Sequence, residues 1–379
     1  MDQKLAVLFM PDDMTLTKEK TPLMLRPILF CPILTWMVEE LMGQGVERFF
    51  IVSDVRAHDI MRPYIPEQAD VTYVDGAKHV EKLLKLLKGE KGSVLIVNGA
   101  VLPVGVFSGG AVYSAEAAEC CKVLKEHGAF AAFPKGAEIT KGFLPVGDDE
   151  EIRSAQDMCR RKIADKHFAA GVSIMDANNT YIDPRVTIGS GTVILPGTIL
   201  RGRTVIGKNC TIGPNAMIRD CVIGDETEVN ASQLNESRIG SHTNVGPFAY
   251  VRPNSTIGDH VKVGDFVEIK NSVIGNGTKI SHLTYVGDSD CGERINFGCG
   301  TVTTNYDGFK KFRCTIGDDA FIGCNTNLIA PVTVGSGSYI AAGSTITDEV
   351  PADSLALARS RQVNKPGWAV TWRAAHEKK

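Results

Sequence analysis

Aliphatic residues recur every six positions through much of the C-terminal half of the sequence. The spacing is unbroken over residues 182–218 and again over residues 316–346, and residues 245–269 keep the same rhythm between them. Glycine, aspartate or asparagine follows many of these aliphatics. Six-residue periodicity is typical of a parallel β-helix, in which each short strand points one aliphatic side chain into a shared core. Alternating strands of a sandwich have a period of two and would not restrict aliphatics to every sixth place.

The six-residue rhythm breaks between Phe297 and Ile316, where GCGTVTTNYDGFKKFRCT cannot be fitted to it. This break predicts a loop extruded from the β-helix. Loops on a rigid scaffold are common places for binding residues, although an insertion can equally be neutral. The segment is therefore a candidate for ligand contacts.

Residues 1–150 follow a different pattern, because four short apolar runs, LAVLFM, RFFIVS, VTYVDG and SVLIVNG, alternate with stretches of helical periodicity. Such alternation predicts an α/β domain with a mainly parallel sheet. Residues 151–180 begin with an amphipathic pattern that predicts a linking helix and connector. The predicted organisation is completed by the β-helix over residues 181–350 and a basic C-terminal tail over residues 351–379.

Charge and composition exclude several classes of function. The 379 residues carry 41 Lys and Arg against 44 Asp and Glu, so the chain lacks the basic excess that nucleic-acid binding requires. No segment approaches the roughly 18 to 20 apolar residues that cross a bilayer, and the N-terminal apolar run is too short for a signal peptide. We expect a cytoplasmic protein with no membrane or nucleic-acid partner, whose ten cysteines are reduced.

Several longer segments resemble one bacterial enzyme family. They are RRKIADKHFAAGVSIMDANNTYID, VRPNSTIGDHVKVGDFVEIKNSVIG, SHLTYVGDSDCGERINFGCGTVTTNYDG, IAAGSTIT and LALARSRQ. These segments are similar to the bifunctional GlmU family, which joins N-acetylglucosamine-1-phosphate uridyltransferase and glucosamine-1-phosphate N-acetyltransferase activities. The resemblance implies a left-handed β-helix behind a nucleotidyltransferase-like Rossmann sheet. It also implies a homotrimer, with acetyl-CoA as co-substrate and a small sugar phosphate as acceptor.

The resemblance assigns His282, in the motif SHLTYVGD, as the general base that takes a proton from the sugar amine. An imidazole titrates close enough to neutral pH to accept that proton. Arg252 and Lys270 are assigned to the sugar phosphate. They lie three hexapeptides apart, so on a three-sided coil they would stack on one face. Without the motif, two solvated surface cations would be the simpler interpretation.

The remaining candidate site residues also come from the resemblance. Four match positions that contact the amino sugar or its phosphate: Tyr285, Asn296, Asn305 and Lys311. Five match positions that contact acetyl-CoA: Cys299, Tyr306, Cys324, Ala342 and Arg359. Family members often carry alanine and serine at the two cysteine positions. Because all of these side chains are small, a narrow channel for the pantetheine arm is still expected.

The predicted N-terminal domain departs from the family's pattern. Residues 11–13, Pro-Asp-Asp, replace a glycine-rich phosphate loop, and two carboxylates would repel phosphates while the proline removes a backbone donor. Ala100 stands where the family has an aspartate that helps to hold magnesium, and Gly147 where it has an asparagine. We therefore expect a shortened, degenerate domain that has lost uridyltransferase activity, with Mg²⁺ required only if that activity remains.

Other functions remain open on the sequence alone. β-Helix trimers that resemble γ-class carbonic anhydrases bind zinc through three histidines, and in this chain His242 and His260 are three hexapeptides apart and would stack. Both fall in polar turns, which favours exposed turn residues and no metal site. The alternatives to the acetyltransferase hypothesis are a fully bifunctional enzyme, another sugar acyltransferase of the hexapeptide-repeat class, and a non-catalytic β-helix binding module. The last of these predicts degraded site residues.

Overall fold

The chain forms two compact units, residues 1–222 and residues 223–379. Hexapeptide strands occur in both, and the first unit also contains the predicted α/β domain. None of the helices in the ranges described below is long and apolar enough to cross a membrane. The computed structural model describes residues 5–11, 21–102, 112–128, 138–139 and 142–377.

A six-stranded sheet forms the centre of the α/β domain in the first unit. From one edge its strands are Asp70–Asp75, Arg48–Ser53, Leu5–Phe9, Ser93–Asn98, Val112–Glu116 and Glu138–Ile139. The first four pair in parallel and correspond to the four predicted apolar runs, whereas the last two pair antiparallel. In sequence order the parallel strands are arranged 3-2-1-4, as in half of a Rossmann fold.

Helices and short pairings complete the first unit. Its helices are α1 (Ile33–Gly43), α2 (Val55–Met61), α3 (His79–Leu87), α4 (Ala117–His127) and α5 (Asp149–Ala169). Short 3-10 helices are Leu23–Leu25, Arg62–Tyr64, Gly76–Lys78 and Ala177–Asn179. Two antiparallel pairs are Pro27–Ile28 with Cys31–Pro32, and Val101–Leu102 with Leu144–Pro145.

Helix α5 corresponds to the amphipathic pattern that begins the predicted connector. The Oδ1 atom of Asp148 accepts hydrogen bonds from the backbone amides of Glu150 and Glu151, both at 2.9 Å, and so caps the helix. The acidic first turn also suits the positive end of the helix dipole. On its inner side, burial lowers the pKa of His167 to about 4. The predicted domain boundaries themselves stay predictions.

The hexapeptide strands of the first unit occupy three faces in rotation. Face 1 holds Ser173–Ile174, Val193–Ile194 and Thr211–Ile212; face 2 holds Tyr181–Ile182, Ile199–Arg201 and Met217–Arg219; face 3 holds Thr187–Ile188 and Val205–Ile206. The strand Val222–Ile223 contains the boundary between the units. Strands of one face pair in parallel, so that Ile188 lies beside Ile206.

The second unit repeats the same three faces. Face 1 holds Glu228–Val229, Asn244–Val245, Lys262–Asp265, Lys279–His282, Asn296–Phe297, Phe321–Ile322, Tyr339–Ile340 and Leu355–Ala356. Face 2 holds Gln233–Asn235, Tyr250–Val251, Glu268–Lys270, Tyr285–Gly287, Val302–Thr304, Asn327–Ile329 and Thr345–Ile346. Face 3 holds Arg238–Ile239, Thr256–Ile257, Val273–Ile274, Ser289–Cys291, Cys314–Ile316 and Val332–Val334.

One aliphatic residue of each strand points into the core, as the six-residue period predicts. Val251 and Ile269 are partners in register and both are fully buried. Burying such a side chain contributes roughly 1.5 to 3 kcal/mol. At the following corner, Asn271 and Asp288 adopt positive φ values of 47° and 49°, a conformation that polar Asn and Asp tolerate best after glycine. The predicted fold class, an α/β domain followed by a left-handed parallel β-helix, is confirmed.

The extruded segment is shorter than the sequence predicted. Thr303 lies six residues after Phe297 and occupies the core position of strand Val302–Thr304, where it is fully buried. Its hydroxyl donates to the carbonyl oxygen of Gly287 at 3.1 Å, which allows a polar residue to replace an aliphatic one. Only residues 305–313 leave the coil.

Beyond residue 351 the chain adds one more strand before it leaves the repeat. Leu355–Ala356 pairs in parallel with Tyr339–Ile340 on face 1. The C-terminal helix α6 (Trp368–His376) follows, and none of its residues is buried within this chain. The predicted tail therefore extends the β-helix first and turns helical afterwards.

Candidate active site

His282 ends its strand on face 1 beside Asp265, which lies one coil earlier. The two residues are paired in register, and the Nδ1 atom of His282 lies 2.6 Å from the Oδ1 atom of Asp265. This hydrogen bond holds the pKa of the Asp265 carboxyl below its usual range. An ionised carboxylate can only accept hydrogen bonds, so Nδ1 carries a proton, and in the neutral imidazole Nε2 then keeps its lone pair. The pair has the arrangement of a base and the carboxylate that orients it.

A row of residues occupies the same turn in consecutive coils around His282. Each follows a buried residue of face 1 by two positions, and those buried residues, among them Ile280, Phe297, Ile322 and Ile340, pair in register. This turn row consists of Asp265, His282, Cys299, Cys324 and Ala342. Three of the five positions that the resemblance implies for acetyl-CoA are therefore in line with the histidine.

The two predicted phosphate cations are stacked one coil apart, as their spacing predicted. Arg252 and Lys270 each directly follow a core residue of face 2, and those core residues are partners in register. Both side chains are half-buried at the corner between faces 2 and 3. The stacking confirms the geometric part of the prediction, and the role of the two residues stays a prediction.

Each of these cations is paired with a carboxylate. Arg252 Nη1 lies 2.8 Å from Glu268 Oε1, and this hydrogen bond raises the pKa of the guanidinium. Lys270 Nζ lies 3.0 and 3.2 Å from the carboxylate oxygens of Asp288. Burial opposes the charge of Lys270, but the hydrogen bonds to Asp288 raise its pKa overall. Both cations are thus charged and held in place before a ligand binds.

Asp288 is the centre of a hydrogen-bond network that joins several predicted site residues. Besides Lys270, its carboxylate accepts hydrogen bonds from the side-chain amides of Asn271, at 2.5 Å, and Asn305. The Asn305 amide also lies 3.4 Å from the hydroxyl of Tyr285. Burial opposes ionisation of Asp288, but the bonds from Asn271 and Lys270 hold its pKa below the usual range. The network fixes Lys270, Tyr285 and Asn305 relative to one another.

A cavity of about 510 Å³ opens beside the stacked cations. It is lined by Arg252, Pro253, Asn254, Lys270, Asn271, Asp288, Lys311, Phe312 and Arg313. Three of the predicted sugar-phosphate ligands therefore meet here, two from the coil and Lys311 from the extruded segment. Four of the lining side chains are cationic, and three of these are also paired with carboxylates, so the cavity offers several charged donors to an anionic ligand.

The extruded segment of residues 305–313 closes on itself next to this cavity. Phe312 donates its backbone amide to the carbonyl oxygen of Asn305 at 2.9 Å, and Tyr306 and Lys311 form an antiparallel bridge. Tyr306 is exposed, with 56% of its surface accessible. The short hairpin so formed presents Lys311 to the cavity while Tyr306 faces solvent.

Two predicted site residues, Asn296 and Arg359, belong neither to the cavity lining nor to the turn row nor to the Asp288 network. Asn296 is half-buried on the outer side of face 1, where it pairs in register with Lys279 and Phe321. Arg359 is exposed, and its Cδ atom lies where it would be 3.6 Å from a Cβ atom added to Gly343. Their predicted roles are not supported by contacts within this chain.

Sequence reasoning missed three residues that shape the site: Asp265, Asp288 and Arg313. Asp265 lies one shortened coil before His282, and a search for polar residues at that spacing could have found it. Arg313 binds Asp290 through Nε at 2.8 Å and Nη2 at 2.5 Å, and its Nη1 donates to the carbonyl oxygen of Asn271 at 3.0 Å. It anchors the extruded segment, where no periodic signal exists.

The predicted degenerate nucleotide site is described only in part. Asp12 and Asp13 lie outside the described residues. Gly99 has a φ of 76° and donates its backbone amide to the carbonyl oxygen of Phe9 at 2.8 Å, and Gly147 is exposed. The loss of uridyltransferase activity stays a prediction.

The predicted stacking of His242 and His260 is confirmed. Their rings are parallel within 3°, with centroids 4.8 Å apart, and the Nδ1 atom of His242 lies 3.3 Å from the carboxylate of Glu226. Within the described ranges, no group of three or more His, Cys, Asp or Glu side chains could hold a metal ion.

Comparison with known proteins identifies hexapeptide repeats in this chain. Residues 236–271 and 313–348 match the family described as "Bacterial transferase hexapeptide (six repeats)", and residues 203–231 match "Hexapeptide repeat of succinyl-transferase". A solved structure of Arabidopsis UDP-N-acetylglucosamine acyltransferase aligns with 49% of this chain and 69% of its own at 18% identity, with a TM-score of 0.30. That likeness is too weak to bear on function.

Two relatives are much more similar in sequence. The Bifunctional protein GlmU of Clostridium kluyveri is 51% identical over 248 residues, which is 65% of this chain and 54% of the relative. The protein of the same name from a Geobacillus species is 49% identical over 247 residues, with the same shares covered. The chain spans about half the length of these relatives. About half of the aligned residues are identical over this segment, which confirms the predicted resemblance to the GlmU family over about two thirds of this chain.

Proposed function

We propose that this chain transfers the acetyl group of acetyl-CoA to the amine of glucosamine-1-phosphate, with His282 as the general base. The amine loses a proton to Nε2 of His282 as it attacks the thioester carbonyl, and Asp265 stabilises the imidazolium that forms. The proton then passes to the departing CoA thiolate, which returns the histidine to its neutral form. A positioned general base of this kind contributes about 10² to 10⁴ in rate.

The observation that carries the proposal is a base at the corner before a strand of face 2 and a cation-lined cavity at the corner after that strand. Within one coil, His282 precedes Gly287 by five residues, and Gly287 is the register partner of Lys270. Five residues span at most about 18 Å. The strand between them bears Tyr285 on its outer side. An amino-sugar phosphate lying along this strand would present its amine to the base and its phosphate to the cations.

The phosphate would be held by Arg252, Lys270 and Lys311. Arg252 offers a planar fork and the two lysines offer point charges, a combination that suits a phosphate dianion. Asp288 holds Lys270 in place, and its own carboxylate is held by Asn271 and Asn305. Tyr285, Asn296 and Asn305 are proposed to contact the sugar.

Acetyl-CoA would lie along the turn row on the C-terminal side of His282. The small side chains of Cys299, Cys324 and Ala342 leave a shallow path there for the pantetheine arm. Tyr306 and Arg359 are proposed as further contacts. In this arrangement the thioester carbonyl would meet the sugar amine at the histidine.

The decisive experiment follows thiol release from acetyl-CoA in the presence of glucosamine-1-phosphate. We expect turnover with the native protein and a rate lower by about 10² to 10⁴ for His282→Ala, because the general base is lost. His260→Ala is the matched control, since it removes an exposed histidine that has no part in the proposed site. Absence of turnover by the native protein would refute the proposed activity, and full activity of His282→Ala would refute the assigned base.

We propose that the α/β domain does not transfer uridylyl groups. The substitutions at residues 11–13, 100 and 147 support this, because they replace the groups expected to bind phosphates and magnesium. The test incubates the protein with UTP, Mg²⁺ and N-acetylglucosamine-1-phosphate and measures UDP-sugar formation. Robust formation would show instead that the protein is fully bifunctional.

We propose that the protein works as a homotrimer. The exposed aromatic stack of Phe248 and Phe266, with ring centroids 5.5 Å apart, and the unburied helix α6 support this, because such apolar surfaces are usually covered. Sedimentation at decreasing protein concentration would test it. Full activity in a fraction that sediments as a monomer would contradict the proposal.

A further inference from the structure

Two of the ten cysteines differ from the others in their exposure and position. Cys324 is exposed and Cys299 is half-buried, and both belong to the turn row. Of the remaining eight, all are buried except Cys121 of helix α4, which is half-buried. Oxidants in solution therefore reach the turn row more readily than most other thiols in the protein.

Cys299 and Cys324 occupy the same position of consecutive coils. Each follows its core residue by two positions, and those core residues, Phe297 and Ile322, are partners in register. The backbone amide of Asn325 donates to the carbonyl oxygen of Cys299 at 2.8 Å, so the ladder remains paired at the turn. Neighbouring parallel strands are about 4.8 Å apart, which lies within the Cα separations of roughly 4.4 to 6.8 Å seen in disulfides.

The two coils also approach each other closely at this turn. A Cβ atom placed on Gly298 would lie only 2.5 Å from the backbone nitrogen of Cys324. Only glycine fits beside the neighbouring coil there, and the hydrogen bonds on either side of Cys299 and Cys324 hold the two backbones at this separation. Cys299 and Cys324 are thereby held in one relative arrangement.

Burial makes most of the other thiols poor nucleophiles. It raises the pKa of Cys31, Cys120 and Cys159 to about 12 and that of Cys314 to about 11, in each case as the largest cause. Since the thiolate is the reactive form, these cysteines are protected from exchange with small disulfides. Reaction with such an oxidant should therefore be selective for the turn row.

We propose that Cys299 and Cys324 form a reversible disulfide between consecutive coils, so that this turn is a redox modification site. The co-reactant is a small-molecule disulfide. The thiolate of Cys324 attacks one sulfur of it and releases one thiol, and the thiolate of Cys299 then attacks the mixed disulfide and releases the second. Overall the two protein thiols are oxidised to one disulfide while the small disulfide is reduced to two thiols.

The consequence for activity rests on the proposed function. If acetyl-CoA lies along the turn row, a disulfide there would replace two mobile side chains with a rigid bridge across the path of the pantetheine arm. Oxidation would then stop acetyl transfer, reduction would restore it, and bound acetyl-CoA would slow the oxidation.

The test treats the full-length protein with glutathione disulfide and measures intact mass, free thiols and cross-linked peptides. We expect the mass to fall by two hydrogen atoms, two free thiols to disappear, and a peptide pair joined through Cys299 and Cys324, all reversed by dithiothreitol. Cys299→Ala and Cys324→Ser should each abolish the cross-link, whereas Cys121→Ser should leave it unchanged. Circular dichroism verifies that the variants are folded.

Unchanged thiols, or a stable glutathione adduct without the cross-link, would overturn the proposal. So would a cross-link that joins a different pair of cysteines. These readouts need no enzymatic activity, so the cross-link would still be detected if the reduced protein failed to transfer acetyl groups. In that event the proposed function would fail while the modification site stood.

Discussion

The α/β domain and the β-helix of the second unit use their charged residues in different ways. In the α/β domain, the ion pairs stabilise local structure: Arg48 binds Glu90 through two hydrogen bonds of 2.9 and 2.7 Å, and Asp54 caps helix α2. In the β-helix, charged residues from coils one turn apart meet at the cavity beside Arg252 and Lys270. A β-helix returns the chain to the same edge after every three strands, so a few coils are enough to assemble a site.

The largest expected effect comes from separating the catalytic pair. In Asp265→Asn the amide can donate to Nδ1 of His282, which favours the wrong tautomer and removes the charge that stabilises the imidazolium. We expect kcat to fall by about 10² to 10⁴. Asp319→Asn, which breaks an exposed ion pair with Arg294, is the control and should leave kcat unchanged. Steady-state kinetics would measure kcat for both variants, and equal kcat values would contradict the role assigned to Asp265.

The two units should differ in their stability to acid. In the unfolded chain an imidazole has a pKa of about 6.5, but burial lowers that of His167 to about 4 in the folded first unit. Between these values the unfolded state binds more protons, so stability is complete above pH 6.5 and falls as the pH drops toward 4, by on the order of 3 kcal/mol.

The second unit should tolerate the same acid range. Hydrogen bonds from Arg313 and Arg294 hold the pKa values of Asp290 and Asp319 below their usual range. Their stabilising contribution is lost only when the pH falls through those lowered values. Urea unfolding at pH 7 and pH 4.5 would measure the difference, and His167→Gln should remove most of it from the first unit. An equal loss in native protein and variant would show that other groups titrate.

The phosphate cations should affect substrate affinity more than turnover. Arg252→Gln removes a charged donor, so we expect the KM for glucosamine-1-phosphate to rise by about 10-fold to 100-fold while kcat changes little. Arg48→Gln is the matched control from the α/β domain, because it breaks an arginine–glutamate pair that lies away from the proposed site. Its KM should be that of the native protein. With glucosamine, which lacks the phosphate, the two variants should have the same KM.

The smallest effect is expected at the cap of helix α5. Asp148→Ala removes the side-chain acceptor for the amides of Glu150 and Glu151 and should cost about 1 kcal/mol of stability. Because the residue belongs to the first unit, acetyl transfer at saturating substrate should be unaffected. Thermal unfolding would measure the loss of stability. A kcat reduced in parallel would mean that the helix supports catalysis directly.

The sequence predicted the coil and the stacking of its cations well, because periodicity is recorded along the chain itself. It did not indicate Thr303 as a core residue, because the six-residue pattern consists of aliphatic residues and a threonine is acceptable in the core only with its hydroxyl bonded to Gly287. It also missed Asp265 and Asp288. The coil from Asp265 to His282 and the coil from Lys270 to Gly287 are shorter than three full hexapeptides, so the spacing of a regular repeat does not align these residues with their partners. Arg313 is the last residue of the extruded segment, which lies outside the repeat.

The sequence by itself determined that an aliphatic residue at every sixth position fills a shared core and that Arg252 and Lys270 are three hexapeptides apart. Burial of a regularly repeated side chain is a local requirement that any reader of the sequence can recognise. Only the tertiary structure decided that Asp265 binds His282, that Asp288 joins Lys270 to Asn305, and that Cys299 lies beside Cys324. A polar residue at a turn fits the sequence pattern equally well whether its side chain faces water or the next coil. Which of the two occurs depends on the contacts between coils, which only the tertiary structure shows.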